Sequence, residues 1–143
     1  MSALDPVGDT VLNLLETRLV LQDEYVDRIG KVIMLAAYEG HVIIVGRGAN
    51  LILPREAGLR VRIVATSEER TAYLARQNDI DGRTAARRMG ELDRSRREFI
   101  RRHFRCDPDD PCNYDLAIDR GPFGLEGTAE VVLAAMRVRG LVD

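Results

Sequence analysis

The chain is 143 residues long, 45% hydrophobic and 31% charged, with a formal net charge of -2. That length suits one domain, which can bury roughly 70% of its extended-chain surface without a disulfide or metal staple. The longest apolar run falls short of the roughly 18 residues a membrane span needs, the first nine residues lack the basic start of a secretory leader, and two cysteines make no disulfide framework, so a cytoplasmic protein with no membrane partner is expected.

In chain order, Val11, Leu12, Leu14, Leu15 and Leu19 predict a helix over 9–22, with Asp9 or Thr10 as cap. A second helix is expected over 23–38, with Tyr25, Val26, Ile29, Ile33, Ala36 and Ala37 inward and Gly40 ending it. Residues 41–45 form a short apolar run bounded by glycine, the pattern of a buried parallel strand. The loop Gly46-Arg47-Gly48-Ala49-Asn50 follows, then one helical turn over 51–53 stopped by Pro54. Residues 60–65 read as a second strand. Thr66-Ser67-Glu68-Glu69 has the spacing of a capping box, which predicts a helix over 67–77. After a turn at 78–82, residues 83–104 carry a long helical pattern. A rigid loop, Asp107-Pro108-Asp109-Asp110-Pro111, precedes a third strand over 114–118 and a final helix over 125–138. Strands alternating with helices give the α/β class, here a small parallel sheet of three strands flanked by helices. The whole forms one domain over 1–143: helices 9–39, a strand-loop core 41–66, an arginine-rich region 67–105, and a C-terminal strand and helix 114–139.

Charge is distributed unevenly. Residues 83–105 hold nine arginines against Glu91, Asp93 and Glu98, a local balance of +6, which leaves -8 for the rest. At 3.6 residues per turn, Arg87, Arg94, Arg97, Arg101 and Arg105 share one stripe, with Ala85, Met89, Leu92 and Phe99 on the opposite, core-facing side. Arg96 falls among those apolar residues, where an unpaired charge is costly; Asp93, another carboxylate or a ligand phosphate should meet it. A solvated face is the usual fate of a charge run, but a run this dense and single-signed favours an anion. Nucleic acid is disfavoured, because the segment lacks interleaved aromatics and the chain is net acidic.

Glycines at the carboxyl end of a parallel strand allow close approach of a ligand to the backbone. Arg47 between them offers a planar fork suited to phosphate; the plainer alternative is a tight turn with a surface arginine. His103, Cys106 and Cys112 lack the paired spacing of a zinc site, and the acids Asp107, Asp109 and Asp110 lack the glycine and terminal glutamate of a calcium loop. No Gly-x-x-x-x-Gly-Lys-Ser/Thr motif is present. The single Gly-Lys pair, Gly30-Lys31, has Tyr25 where the first glycine belongs and Val32 where the hydroxyl belongs, in a helical context.

Val42-Ile43-Ile44-Val45-Gly46-Arg47-Gly48-Ala49-Asn50-Leu51-Ile52-Leu53 resembles the central segment of the cytidylate kinase-like family. Thr66-Ser67-Glu68-Glu69-Arg70, Glu91-Leu92-Asp93-Arg94-Ser95-Arg96-Arg97, and Asp109-Asp110-Pro111 before Tyr114-Asp115-Leu116 follow in the same order, so the resemblance runs from about residue 23 to the C-terminus. It implies an incomplete P-loop nucleotide-kinase fold that binds a nucleotide or phosphate anion. Gly46, Arg47, Gly48 and Asn50 would lie at the acceptor phosphate. Arg70 would open the helix leading into the lid, and Asp93, Arg94, Arg96 and Arg97 would belong to the lid and acceptor-facing helix. Cytidylate kinases proper carry Gly-Arg-Asp where this chain has Gly46-Arg47-Gly48, and arginines where it has Leu92 and Phe99. By the same resemblance a P-loop strand would lie between 41–45 and 60–65. Without it the two strands close up, or a second chain fills the gap, or the sequence is a piece of a longer kinase, in which case ATP and Mg would enter with the P-loop. For function, a fragment of an active nucleoside monophosphate kinase and a catalytically dead oligomerisation or regulatory module are the two alternatives to a catalytically incomplete binding domain. A homodimer through the N-terminal helices is expected.

Overall fold

The structure, a computed structural model, describes residues 24–143; the helix expected over 9–22 lies outside them. Helix α1, Glu24–Glu39, buries Val26, Gly30, Ile33 and Met34, the spacing of one helical face. Tyr25, expected inward, is half exposed: Val26 takes the inward position, and the Tyr25 ring instead meets Phe99 edge-on at 6.5 Å. Gly40 ends α1 in the left-handed region at φ 74°, its N–H donating to Ala36 O and Ala37 O.

The next segment departs from expectation. Residues 41–45 form no strand. Ile44 packs against the core, while Ile43 is 91% and Val45 86% exposed. Among the described residues the sheet has two strands and not three. The reason is pairing: an isolated extended segment has no ladder, and β1, Val61–Val64, gives its edge to β2, Leu116–Asp119. The pair is parallel, with Val61 opposite Leu116 and Val64 opposite Asp119. It starts from a clamp in which Arg60 O accepts from Asp115 N–H (2.8 Å) and Asp115 Oδ2 accepts from Arg60 N–H (2.9 Å). The two segments flanking the expected gap therefore do not close up on each other.

Between 41–45 and β1 lie helix α2, Ala49–Ile52, and a 3-10 turn, Arg55–Ala57. Helix α3, Ser67–Asn78, begins at the expected capping box: Thr66 Oγ1 accepts from Glu69 N–H and Glu69 accepts from Thr66 N–H. Helix α4, Gly82–Phe104, is capped by Asp81, and Arg105 ends it in the left-handed region. A second 3-10 turn, Pro111–Asn113, leads to β2. Helix α5, Arg120–Val138, starts five residues before its expected position, because the Asp119 carboxylate accepts from Gly121 N–H and caps it; Gly124 kinks it at φ 65°.

The main apolar cluster is Ile33, Met34, Ala49 and Ile52, with Ile29, Ile44, Leu53 and Phe104 against it. It thus joins α1, α2 and the C-terminal end of α4. Helix α3 packs on α4, but its 12 residues cannot cover the 23 of α4, roughly 18 Å against 35 Å at 1.5 Å per residue. Ala85 is buried as expected, whereas Leu92 is 43% exposed. Arg96, expected among core residues, points outward for the same reason, its side chain 71% exposed.

Candidate functional site

Gly46, Arg47 and Gly48 are three successive left-handed residues, at φ 76°, 57° and 73°. The Ala49 N–H closes the turn onto Gly46 O at 3.2 Å. Glycine takes this conformation without strain, whereas a residue with a Cβ takes it at a cost, so Arg47 is held there by its neighbours. Gly48 is required twice over: a Cβ at this position would lie 2.4 Å from Phe104 Cε2. The Arg47 guanidinium is exposed, its Nη1 3.3 Å from Tyr25 Oη, and it meets no carboxylate among the described residues. Asn50 is half-buried, its amide donating to Asn113 O at 3.3 Å, which ties the loop to the turn before β2.

The other candidate residues lie on α4, apart from Arg70 of α3. Arg70, in the first turn of α3, clasps Asp93 with both terminal nitrogens, Nη1 to Oδ2 at 3.0 Å and Nη2 to Oδ1, and also reaches Met89 Sδ. The Asp93 hydrogen bond, set against partial burial, raises the Arg70 pKa. Arg96 approaches the same carboxylate at 3.9 Å. One turn further, Arg97 donates to Asp109 Oδ2 at 2.7 Å, while Arg62 of β1 takes Asp109 Oδ1 at 2.5 Å. Arg97 first and Arg62 second hold the Asp109 carboxyl below its ordinary pKa. Arg62 also donates to Pro108 O and to Tyr114 Oη (3.4 Å) and lies over the Tyr114 ring, and Tyr114 donates its own proton to Pro108 O at 2.9 Å. Arg94 is exposed and forms no ion pair among the described residues.

The fold therefore separates what the sequence grouped. Arg70, Asp93 and Arg96 form one station and Arg97 with Asp109 the next. The Gly46-Arg47-Gly48 turn sits against Phe104, 11 residues beyond Asp93, roughly 16 Å along the helix axis. Two participants are not evident as site residues from the sequence. Asp109 carried a signal, being flanked by Pro108 and Pro111 in a loop too rigid to swing away. Tyr25 carried none, since only packing turns it from the core toward Arg47. No three His, Cys, Asp or Glu side chains converge as a metal site among the described residues, and no described helix is long and apolar enough to cross a membrane.

The cytidylate kinase-like family is matched over residues 3–122, which begins well before the first motif that carries the resemblance and ends in α5. A curated cytidylate kinase of Methanopyrus kandleri is 30% identical over 110 residues, covering 71% of this chain and 57% of the relative. The chain thus matches little more than half the length of that relative. A solved structure, of an uncharacterized protein from Eubacterium ventriosum, is similar in fold: the TM-score is 0.75 at 17% identity, covering 96% of this chain and 76% of that one.

Proposed function

The chain belongs to the cytidylate kinase-like family, and from that premise we propose that it is a nucleotide- or phosphate-binding domain whose anion seat is the Gly46-Arg47-Gly48 turn. The observation that carries this is the state of Arg47. Arg70 is paired with the Asp93 carboxylate, and Arg62 and Arg97 share that of Asp109. The Arg47 backbone is set by a tight turn, and its side chain is exposed and in contact with the Tyr25 hydroxyl. A guanidinium fork that is carried on a tight turn and meets no described carboxylate is a ready partner for a phosphate.

Phosphoryl transfer depends on positioning and on charge stabilisation at the transferred group. No Gly-x-x-x-x-Gly-Lys motif is present to cradle a donor's phosphates, so the chain by itself is expected to be catalytically incomplete. Calorimetry with inorganic phosphate and CMP should give affinities from millimolar to high micromolar, about 4–6 kcal/mol. Arg47→Ala should weaken both at least tenfold, and equal binding by the two proteins would remove Arg47 from the seat. A coupled assay with ATP and CMP should stay below ~0.1 turnovers per second, against ~1–100 for kinases.

One observation favours a second reading. The exposed apolar segment 41–45 and the open edge of β1 are what a parallel strand from elsewhere would cover. If that strand brought a phosphate loop, ATP and Mg would have a seat, and the assembled protein would transfer a phosphoryl group to a CMP-like acceptor. Kinase turnover by a longer polypeptide containing this chain, lost in Arg47→Ala, would favour this second reading.

A further inference from the structure

The Arg47 turn is supported by residues from two other elements. Arg47 lies 22 residues beyond Tyr25, but the chain after Gly40 returns from the C-terminal end of α1 toward its first turn. There Tyr25 Oη accepts from Arg47 Nη1 at 3.3 Å. Helix α4 braces the phenol: Phe99 meets its ring edge-on at 6.5 Å, with planes 85° apart. Phe99 is itself flanked by His103 at 4.7 Å and by Phe104 at 6.2 Å. Phe104 packs on the main apolar cluster, and a Cβ at position 48 would lie 2.4 Å from its ring. One series of rings therefore meets the turn at two points: its backbone at Gly48, through Phe104, and its guanidinium, through the Tyr25 hydroxyl.

An anion that meets a freely rotating arginine has to order it, and that lost rotamer freedom is subtracted from the affinity. A guanidinium already steered by a neighbour keeps that part of the binding energy. A carboxylate would steer the fork as well, but it would compete with an anionic ligand for the same N–H groups. A hydroxyl accepts one hydrogen bond and leaves the rest of the fork open. We propose that Tyr25 is a positioning residue for the Arg47 seat, braced by Phe99, so that α4 sets the affinity of the seat through ring contacts. The proposal rests on the reading of Arg47 as the anion seat and deepens it.

The test uses the full chain and inorganic phosphate. Tyr25→Phe keeps the ring and its contact with Phe99 and removes only the oxygen. Calorimetry should show phosphate binding weakened about threefold to tenfold, the cost of ordering one long side chain when the ligand arrives, with the urea unfolding midpoint unchanged. Without ligand, the heteronuclear NOE of the Arg47 side-chain Nε should fall toward that of Arg94, which is exposed and forms no ion pair among the described residues. Phe99→Leu should lower the same NOE although Tyr25 keeps its oxygen; the Tyr25→Phe measurements stand even if Phe99→Leu folds poorly. Weaker binding by Tyr25→Phe with an unchanged NOE would make Tyr25 a direct contact of the anion and overturn the positioning role. An unchanged NOE in a folded Phe99→Leu would overturn the brace. Wild-type affinity in Tyr25→Phe, with Arg47→Ala still weakened, would overturn the proposal and leave the seat intact. Equal binding by Arg47→Ala and the wild type, or no binding by the wild type, removes the seat and the proposal with it.

Discussion

At the scale of single residues, the Gly46-Arg47-Gly48 turn is specified by space as well as by backbone angle. A Cβ at Gly46 would have nothing within 4 Å, so alanine there meets only the left-handed strain. At Gly48 the same strain adds to a collision with Phe104, whose ring is packed against Ile33, Met34, Ala49 and Ile52 and has little room to yield. Left-handed backbone costs about 1–2 kcal/mol and overpacking about 1–3 kcal/mol. Gly48→Ala is therefore expected to lower stability by at least about 2 kcal/mol, and Gly46→Ala by about 1 kcal/mol, in urea unfolding. Equal effects of the two would mean that the Phe104 contact carries no weight. The chemistry of the turn is likewise set by contact, since Arg47, unlike Arg62, Arg70 and Arg97, has no carboxylate beside it among the described residues.

At the scale of elements, the β1–β2 pair depends on the Arg60–Asp115 clamp at its start. The two side chains are 11% and 14% exposed, and Arg139 adds a second cation at 3.4 Å from Asp115. The hydrogen bond from the Arg60 side chain, opposed by burial and helped by the Arg60 N–H, lowers the Asp115 pKa from 3.8 to about 2. A carboxyl depressed in the folded state binds its proton more readily when unfolded, so its stabilisation is present above about pH 4 and is lost as pH falls through about 2. Asp115→Asn is expected to cost about 1–2 kcal/mol at pH 7, with the difference from wild type vanishing near pH 2. Thermal unfolding across that range measures it, and a pH-independent difference would mean that the clamp acts through packing and not charge.

At the scale of the whole molecule, several large apolar side chains stand exposed among the described residues. Val32, Leu35 and Tyr38 stand exposed along α1, and Ile43 and Val45 in the segment that follows it. A folded chain in water rarely leaves such patches bare, and a symmetric pair is the commonest way to cover them. Light scattering at micromolar concentration is expected to give twice the 16.0 kDa chain mass, through an interface above ~1,000 Å². Leu35→Lys should shift the mass toward the monomer. A monomer in the wild type with α1 well protected from hydrogen exchange would show that the chain covers its own surface.

What the sequence determined by itself was local. The capping box at Thr66, the long helix ending at Phe104, the Gly40 stop and the alternation of strand and helix follow from hydrogen bonds and periodicities a few residues apart. The order of motifs in 42–53, 66–70 and 91–97 likewise carried the family, because it is a property of the chain and not of its folding. Only the tertiary structure decided what happens to 41–45, since an apolar run becomes a strand only when a neighbouring backbone pairs with it, and none of the described residues does. It also decided which arginines are spent. The flanking glycines set Arg47 apart along the chain but do not reveal its partners; long-range contacts bring Asp109 to Arg62 and Arg97, Asp93 to Arg70, and a phenol to Arg47. Charge can be counted from sequence, but whether a charge is free depends on what the fold places beside it.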